Sequence, residues 1–426
     1  MGAPLLVLSN GHGEDAIALR VIEALLLRRP QLQVAVLPLV GEGRVFAAAE
    51  REGALRRLGP RQLLPSGGFS NQSLRGLGAD LAAGLAALSW RQWRWVRRWG
   101  SSGAPLLAVG DLLPLALAWD SGAPFAFLGT PKSDYTWRSP PPPGWGRSPL
   151  ADAYHRCKAS EWDPWEWALM GSRRCRLVAV RDRITARGLR RHGVAALAPG
   201  NPMLDGFGGT PLPAGLGQRR RLLLLPGSRL PEALGNGARL LEAVERWAAP
   251  EACSVLMTCG SQLDQAAWDG LLQGRGWAAE ALSAAGAAAG ARTAWRRGRV
   301  SVLLGGGHFE TWAGWAEVGL ATAGTATEQL VGLGVPCLSL PGPGPQFRAG
   351  FARRQSRLLG GAVQPCRTPA ELAARLQRLL DDPRQRRQLG AIGRRRMGPA
   401  GGSAGLAALL EERLLAHPGA GGAGLG

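Results

Sequence analysis

Short apolar runs recur along the chain, and each ends in Gly, Ser or Asp before a segment with helical periodicity begins. In the first half this pattern predicts helices at about 14–29 and 78–99 and strands at residues 4–8, 32–37, 105–109, 124–128, 176–180 and 195–197. In the second half it predicts strands at residues 221–225, 255–257, 300–304, 319–322 and 337–340. Strands that alternate with helices are typical of βαβ units, so we expect an α/β fold with doubly wound parallel sheets.

A stretch rich in Gly and Pro, residues 206–218, interrupts the alternation and is the best candidate for a linker. The sequence therefore predicts two Rossmann-like domains of similar size, residues 1–205 and 219–395, with a cleft between them. Residues 396–426 are predicted to form a C-terminal helix and a disordered tail, because the tail has nothing to bury. The proline run at 139–146 cannot be helical and predicts a stiff surface loop.

The chain is strongly basic, with a net charge of +20, and this favours anionic partners. Among its 51 basic residues only Lys132 and Lys158 are lysines, so the charge reflects a general use of arginine. No recognisable nucleic-acid motif accompanies the charge, and we therefore expect no nucleic-acid partner.

Cysteine usage and hydropathy indicate a cytoplasmic protein. Six cysteines are scattered without a C-x-x-C pair, which predicts neither a disulfide framework nor a zinc site. The sequence opens directly on a strand-like run without a signal-peptide pattern. The best transmembrane candidate, residues 105–119, is too short to span a bilayer and contains Asp111. We expect a cytoplasmic location, which would include the inner face of the plasma membrane if the chain contacts lipid.

One predicted helix, within residues 81–99, has the composition for such a contact. Arg91 and Arg94 follow at helical spacing beside Trp90 and Trp93. An aromatic and basic surface of this kind can lie peripherally on an anionic membrane. The alternative is a helix packed on the core by its apolar face, with its arginines in solvent.

The turn after the first predicted strand carries several polar side chains. It contains Asn10, Gly11, His12 and Glu14. The first βα loop of a doubly wound fold faces the ligand, and Gly11 lets the backbone approach one. His12 can act as a base, and Glu14 can accept hydrogen bonds. The alternative is a tight turn in which Asn10 or Asp15 caps the helix.

Asp111 follows the apolar run 106–109 and lies at the predicted carboxyl edge of the sheet, where open α/β sheets bind their ligands. A carboxylate there can remove the proton of an attacking hydroxyl, so Asp111 and His12 are the candidate catalytic residues. The alternative is that Asp111 is only the N-cap of the helix that follows.

In the second half, a predicted helix begins directly after the apolar run 318–321. Its first residues include Gly324, Thr325, Thr327, Glu328 and Gln329. The first-turn amides of a helix have no intrahelical partners, so a phosphate can lie against residues 324–327 while Glu328 binds the vicinal hydroxyls of a sugar. The alternative is a capping box in which Thr325 and Glu328 close the helix end.

A second strand-to-helix junction contains Ser228 and Arg229. Arg229 offers a planar fork of donors that suits a diphosphate, and Ser228 can donate a hydrogen bond or cap a helix. The segment 199–206 combines Pro and Gly residues that suit a hinge, from which Asn201 can reach the predicted cleft. An ordinary crossover loop would have the same composition.

Five ordered motifs carry a resemblance to a known family. They are Ser9-Asn-Gly-His-Gly-Glu-Asp15, Gly129-Thr-x-Lys-Ser-Asp-Tyr135, Gly200-Asn-Pro-Met-x-Asp-Gly206, Leu224-Leu-Pro-Gly-Ser-Arg229 and Ala323-Gly-Thr-Ala-Thr-Glu-Gln-x-x-Gly-Leu-Gly-x-Pro336. In this order they resemble the motifs of the lipid-A-disaccharide synthase-related proteins of cyanobacteria.

The resemblance implies a GT-B glycosyltransferase fold, with an N-terminal domain that binds the acceptor and a C-terminal domain that binds a nucleotide-sugar, usually a UDP-sugar. It implies donor-binding roles for Ser228, Arg229 and residues 324–329. The residues assigned to the acceptor or the hinge are Asn10, Gly11, Glu14, Lys132, Asp134 and Asn201. It implies no metal ion and no cofactor.

We therefore expect an inverting glycosyltransferase that moves a hexosamine or hexose from UDP to a glycolipid-like acceptor, as in lipid A biosynthesis. Asp111 or His12 would remove the proton of the acceptor hydroxyl. Arg229, Ser228 and the helix-start amides would stabilise the departing diphosphate. Two alternatives are a UDP-sugar epimerase, which needs no acceptor, and a non-catalytic protein that binds a nucleotide-sugar or an anionic lipid.

Overall fold

The chain forms two compact units in a computed structural model. The structure describes residues 4–62, 78, 80–227, 230, 232–247, 249–260, 264–342, 344 and 347–416. The described part of the first unit lies within Met1–Trp137, Ser148–Asp205 and Gly398–Gly426, and that of the second within Arg138–Arg147 and Gly206–Met397.

The first unit contains a seven-stranded sheet with the order β3-β2-β1-β4-β5-β6-β7. Its strands are β1 Leu5–Ser9, β2 Val34–Pro38, β3 Arg56–Arg57, β4 Leu106–Gly110, β5 Phe125–Gly129, β6 Cys175–Val180 and β7 Ala196–Leu197. All neighbours pair in parallel, so every strand ends at the same edge. The central strands are completely buried, as expected for a sheet covered by helices on both faces.

Helices of the first unit cover this sheet. They are His12–Arg28, Ala47–Arg51, Leu85–Gly100, Leu112–Asp120, Tyr135–Arg138, Pro149–Lys158, Pro164–Met170, Arg183–Arg191 and Gly402–Leu410, with short 3-10 or π-helical turns at Arg44–Phe46, Pro202–Leu204 and Glu411–Leu415. The helix predicted at 78–99 is interrupted: residues 78 and 80–82 are helical, and the helix Leu85–Gly100 begins directly after Gly84, whose φ of 94° only glycine adopts easily.

The second unit contains an eight-stranded sheet with the order β10-β11-β12-β9-β8-β13-β14-β15. Its strands are β8 Arg220–Leu225, β9 Cys253–Cys259, β10 Ala278–Glu280, β11 Thr293–Arg297, β12 Val300–Gly306, β13 Val318–Ala321, β14 Cys337–Ser339 and β15 Val363–Pro365. The strands from β12 to β15 pair in parallel, whereas β10 and β11 add an antiparallel edge that the sequence pattern did not predict.

Helices of the second unit are Ala214–Gly217, Glu232–Trp247, Gln265–Gly274, Ala284–Ala288, Phe309–Ala313, Thr325–Gly332, Ala349–Leu358, Pro369–Asp381 and Pro383–Met397. Each unit buries its own apolar core, which explains why two similar sequence patterns occur in succession. Within the described residues no helix has both the length and the apolar character needed to cross a bilayer.

The proline segment is a non-helical loop with Pro140, Pro143 and Gly144 exposed, as predicted, and it belongs to the second unit. Ser139 and Pro142 are buried. The Arg357 guanidinium donates to the Ser139 carbonyl at 2.9 Å, and Arg353 donates to the carbonyl of Gly146 at 2.8 Å. Arginines therefore hold this helix-incompatible segment through its backbone, a long-range contact that composition does not reveal.

The C-terminal helix Gly402–Leu410 belongs to the first unit, so the chain returns there after the second unit is complete. Asp205 receives hydrogen bonds from the backbone amides of Gly401 at 2.5 Å and Ser403 at 2.7 Å. This carboxylate thus caps the returning helix from another part of the chain. The tail predicted to be disordered lies outside the described residues.

Candidate functional site

The first unit brings together two turns that are a hundred residues apart in the sequence. The strand order reverses between β1 and β4, and such a switch point is where open α/β sheets bind ligands. The register pairs Ser9 with Val109, so Asn10, which follows β1, lies beside Gly110, the last residue of β4. Asn10 Nδ2 donates to Asp111 Oδ1 at 2.6 Å. The two predicted site turns therefore meet through their side chains.

Asp111 also accepts a hydrogen bond from the Leu113 amide at 3.1 Å and is the N-cap of the helix Leu112–Asp120. The capping alternative is therefore present, but it uses only Oδ1, the oxygen that also receives Asn10. Gly110, with φ 136°, makes the close approach possible, since a Cβ there would lie 1.9 Å from Asn10 Oδ1. Asp111 is half-buried, so its carboxylate keeps access to solvent.

Glu14 and Thr130 border the same edge. The Glu14 side chain folds back over the turn, and the absence of a side chain on Gly11 makes room for it: a Cβ on Gly11 would lie 2.6 Å from Glu14 Oε2. Thr130, which follows β5, donates to Glu14 Oε1 at 3.4 Å. His12 is exposed at the first position of its helix. The structure thus gathers Asn10, Gly11, Glu14 and Asp111 at one edge.

Asp15 is completely buried beneath this turn, where the sequence suggested a cap. Ser9 Oγ donates to its Oδ1 at 2.5 Å, and within the described residues Oδ2 has no hydrogen-bond partner. Burial raises the pKa of Asp15 to about 7, opposed by the Ser9 hydrogen bond and assisted by the charge of Glu14. A carboxyl that titrates near neutrality therefore lies under the candidate site.

Lys132 and Asp134 lie in a different environment from the turn residues. Lys132 Nζ contacts Glu166 Oε2 at 2.5 Å, and Glu166 is completely buried. Asp134 is also buried and accepts a hydrogen bond from the backbone amide of Glu161 at 2.8 Å. Gly188 packs closely against this carboxylate, since a Cβ on Gly188 would lie 2.1 Å from Asp134 Oδ2. These contacts favour a structural role over the predicted acceptor role.

The two lysines of the chain converge on one carboxylate, a feature that sequence reasoning missed. Asp163 contacts the ammonium groups of Lys158 and Lys132, the latter at 3.5 Å. Tyr154 also donates to Asp163 at 2.9 Å, and these partners hold the pKa of Asp163 low despite burial. The signal was available, because an arginine-rich chain keeps lysine only at these two positions.

Asn201 is buried in the first unit rather than exposed on a hinge. Its side-chain oxygen accepts a hydrogen bond from the backbone amide of Met203 at 3.1 Å, and its backbone amide donates to the Pro399 carbonyl at 3.0 Å. A Cβ on Gly200, whose φ is 132°, would lie 3.0 Å from the backbone of Gly402, so the two chain segments approach closely here. The segment is thus fixed against the returning chain, which favours the crossover-loop alternative for Asn201.

In the second unit the strand order reverses between β8 and β13, and two predicted turns meet there as well. Thr322 Oγ1 donates to the Pro226 carbonyl at 3.0 Å. This bond joins the Leu-Pro-Gly turn to the residues that lead into the helix Thr325–Gly332. The predicted donor residues Ser228 and Arg229 lie outside the described residues.

The helix Thr325–Gly332 has Gly324 as its N-cap, and among the described residues no side chain caps it. The Glu328 amide bonds to the Gly324 carbonyl at 3.2 Å, so Thr325 is the first helical residue and not the cap. The capping-box alternative is therefore wrong. Thr327 Oγ1 instead donates to the Ala323 carbonyl at 2.6 Å, and the helix begins at the carboxyl end of β13, where its first-turn amides have no intrahelical partners.

Four further side chains border this edge. Glu328 and Gln329 are half-buried on the first turn of the helix. Gln355 is buried and donates to the Gly324 carbonyl at 3.0 Å, which fixes the loop before the helix. His308, missed by sequence reasoning, follows β12 at the same carboxyl edge and stacks on Trp312 at 5.4 Å. The run of three glycines before His308 was the available signal.

The helix Leu85–Gly100 has a mixed surface. Leu88 and Val96 are buried, and the Trp93 indole N–H donates to Asp120 at 2.7 Å. Trp93 therefore is not part of an exposed aromatic face. Trp90 is 54% exposed, and the Arg94 guanidinium lies 4.6 Å from its ring centroid. The helix is packed on the core, and a smaller aromatic and basic surface remains.

Comparison with solved structures defines the fold. The chain is similar to the S. aureus MnaA–UDP complex (12% identity, 97% of each chain, TM-score 0.57) and to the glycotransferase of kitacinnamycin (17% identity, 97% of this chain and 99% of the other, TM-score 0.54). It is also similar to UDP-GlcNAc 2-epimerase from Neisseria meningitidis bound to UDP-GlcNAc (12% identity, 96% and 100%, TM-score 0.52). The fold is GT-B. The sequence matches no family model and no curated protein.

The raised pKa of Asp15 gives a testable pH dependence. Its ordinary pKa is 3.8, so between about pH 4 and pH 7 the folded protein binds this proton more tightly than the unfolded chain, and stability falls as the pH rises. Asp15→Asn mimics the protonated group. We compare the free energies of unfolding of the variant and of wild type, measured by urea denaturation at each pH. The difference, variant minus wild type, should increase by up to about 4 kcal/mol from pH 4 to pH 8, because only wild type loses stability as Asp15 ionises. A constant difference across this range would contradict the burial argument.

The contacts of Lys132 predict a stability effect. Lys132→Met should destabilise the protein by about 3–5 kcal/mol, because the buried Glu166 carboxylate loses its cation. Adding Glu166→Gln should restore most of that loss in thermal and urea denaturation. Arg156→Met, which removes an exposed cation from the same unit, is the control and should have little effect. Normal stability with impaired acceptor use would return Lys132 to the acceptor site.

Proposed function

We propose that this protein is a glycosyltransferase that moves a hexosamine or hexose from a UDP-sugar to a hydroxyl of a glycolipid-like acceptor. The observation that carries the proposal is that each unit of the GT-B fold has a polar site at the switch point of its sheet. Within the part of the chain that the structure describes, the second unit offers helix amides without a side-chain cap to an anion, and the first offers a carboxylate to a hydroxyl. The motif resemblance to the lipid-A-disaccharide synthase-related proteins supports the same activity.

The donor part of the proposal rests on the second unit. The diphosphate would lie against the amides of Thr325–Gly332, whose positive dipole end stabilises anionic charge. Glu328, one turn in, would accept hydrogen bonds from the ribose hydroxyls. By the sequence motif, Ser228 and Arg229 would complete the diphosphate contacts. These cationic and dipolar groups can stabilise departing UDP without a metal ion or a cofactor.

The acceptor part of the proposal rests on the first unit. The acceptor oxygen attacks the anomeric carbon, the bond from that carbon to the UDP oxygen breaks, and UDP leaves with the electron pair. The Asp111 carboxylate takes the hydroxyl proton. Asn10 holds this carboxylate in place through the 2.6 Å hydrogen bond. Oδ2 is the proton acceptor in this scheme, because Oδ1 already receives two donors. Exposed His12 is the second candidate base.

We further propose that the acceptor is reached at an anionic membrane surface, with lipid A biosynthesis as the setting that the motif resemblance implies. Trp90, Arg91, Arg94 and Arg98 are exposed on the helix Leu85–Gly100. An indole beside several guanidinium groups suits the interface of an anionic bilayer, where each cation contributes about 1 kcal/mol. Leu112 and Leu113, which are 37% and 45% exposed directly after Asp111, add apolar surface for an acyl chain.

A UDP-sugar epimerase is the second candidate. It is favoured by the structural likeness to an epimerase bound to UDP-GlcNAc, although at 12% identity that likeness concerns the fold. One experiment separates the candidates: the protein is incubated with several UDP-sugars, with and without detergent-solubilised glycolipids. Acceptor-dependent UDP release supports the transferase, and conversion to an epimer without acceptor supports the epimerase. Binding without turnover would leave a non-catalytic nucleotide-sugar protein.

Asp111→Asn tests the proposed base. The rate constant of the chemical step should fall by about two to four orders of magnitude, since general-base catalysis contributes that much, while donor affinity stays unchanged. The amide keeps an oxygen for Leu113 and Asn10, so the melting temperature should stay within a few degrees. Asp382→Asn removes another N-cap carboxylate and should leave turnover intact. Near-normal turnover in Asp111→Asn would move the role to His12, to be tested as His12→Ala.

Glu328→Gln tests the donor site. UDP affinity measured by calorimetry should fall roughly ten- to a hundredfold, because a charged hydrogen bond to the ribose becomes a neutral one. Thermal stability should change little, since Glu328 does not take part in a capping box. Glu242→Gln, which neutralises an exposed carboxylate of the same unit, is the matched control. Equal UDP affinity in both variants would show that Glu328 does not bind the nucleotide.

A further inference from the structure

A cavity lies within the second unit, formed by residues other than those of the candidate donor site. Its volume is about 470 Å³, within the range of small-molecule sites. One wall is the proline segment 139–143, and the others come from the C-terminal end of Ala349–Leu358 and from the helices Pro369–Asp381 and Pro383–Met397. None of its lining residues belongs to the turns at Pro226 or Thr322.

The charge of the cavity is wholly positive. Arg375, Arg378 and Arg396 line it, and its described lining includes no carboxylate. Arg375 pairs with Glu371 at 2.7 Å, outside the lining, and Arg396 donates to the Ser139 hydroxyl at 3.0 Å. Arg378 is exposed and has no hydrogen-bond or ion-pair partner for its guanidinium within the described residues. The cavity therefore keeps a cation available for a ligand.

The walls are built to keep their shape. Arg357 is buried and donates to the Ser139 carbonyl at 2.9 Å, so arginines hold both the carbonyl and the hydroxyl of this residue. Gly360, with φ 65°, allows Arg396 to pack closely, since a Cβ there would lie 2.8 Å from its Nε. Because the proline rings themselves are stiff, the cavity does not depend on a ligand to hold it open.

We propose that this cavity is a second anion site, which binds a small compound bearing a phosphate group. Guanidinium forks match the oxygens of phosphate, and three of them face a space larger than one phosphate fills. The proline rings and Leu379 would cover the apolar part of the ligand, while Gln364 and Gln385 supply amide hydrogen bonds. The phosphate belongs either to a soluble compound or to a lipid headgroup.

The site has a direct structural link to the candidate donor turn. Ser356 lines the cavity, and its neighbour Gln355 donates to the Gly324 carbonyl at 3.0 Å. Both residues are on the helix Ala349–Leu358, so a ligand that shifts this helix would move the residue that begins the helix Thr325–Gly332.

Hydrogen exchange measured by mass spectrometry tests the site with pyrophosphate as the soluble probe, because it reports where binding occurs. Pyrophosphate should slow the exchange of backbone amides in peptides covering 355–366 and 375–390. The protection should be stronger at low salt than at high salt, because salt screens the attraction between the anion and the arginines. Arg378→Gln should raise the concentration needed for half-protection about tenfold, through the loss of a charged hydrogen bond. Arg384→Gln is the control. Arg384 is an exposed arginine on the helix Pro383–Met397, but its side chain does not line the cavity, so this variant should behave as wild type.

A sedimentation assay with phosphatidylglycerol vesicles distinguishes the two sources of phosphate. Protection by pyrophosphate that Arg378→Gln weakens supports a soluble ligand. If pyrophosphate protects neither peptide, but Arg378→Gln alone releases the protein from the vesicles, the phosphate is that of a lipid headgroup. Protection confined to residues 322–330, or equal behaviour of the two variants in both assays, would overturn the proposal.

Discussion

Parallel strand pairing is the constraint on which the candidate sites depend. In each sheet all paired parallel strands end at one edge, and among these parallel strands the order reverses once, at β1/β4 in the first sheet and at β8/β13 in the second. The reversal brings together turns that are distant in the sequence. Asn10 thus reaches Asp111 at 2.6 Å, and Thr322 reaches the Pro226 carbonyl at 3.0 Å. Neither contact would exist with the same residues in an antiparallel meander, so topology determines which side chains cooperate.

The same constraint explains how much the sequence could predict. A strand buried on both faces is a continuous apolar run, and the residue after the run must lie at the ligand edge, so Asp111 and Gly324 could be located from the pattern alone. What the pattern could not decide was the role of each residue. Asp111 is both a cap and a candidate base, whereas Thr325 lies one position beyond the true cap, Gly324. Whether a residue caps a helix or is its first helical residue depends on backbone angles, which the pattern of apolar and polar residues does not specify.

Long-range contacts account for the rest of what was missed. The proline segment 138–147 and the helix Gly402–Leu410 each belong to the unit that their position in the sequence does not suggest. Arginine contacts to carbonyls hold the first, and the Asp205 carboxylate holds the second. The burial of Asp15 and the pairing of Lys132 with Glu166 are likewise set by distant neighbours. No local pattern of apolar and polar residues encodes these partners.

Arginine chemistry changes the meaning of the net charge of +20. Many guanidinium groups serve as internal donors: Arg221 binds the Trp315 carbonyl at 2.8 Å, and Arg239 binds the Pro341 carbonyl at 2.5 Å. A guanidinium with a carbonyl partner still carries its charge, but its donors are already used and its position is fixed. The total charge therefore says little about partners. Arg378 is informative because its guanidinium lines a cavity and no carbonyl or carboxylate in the described part of the chain engages it.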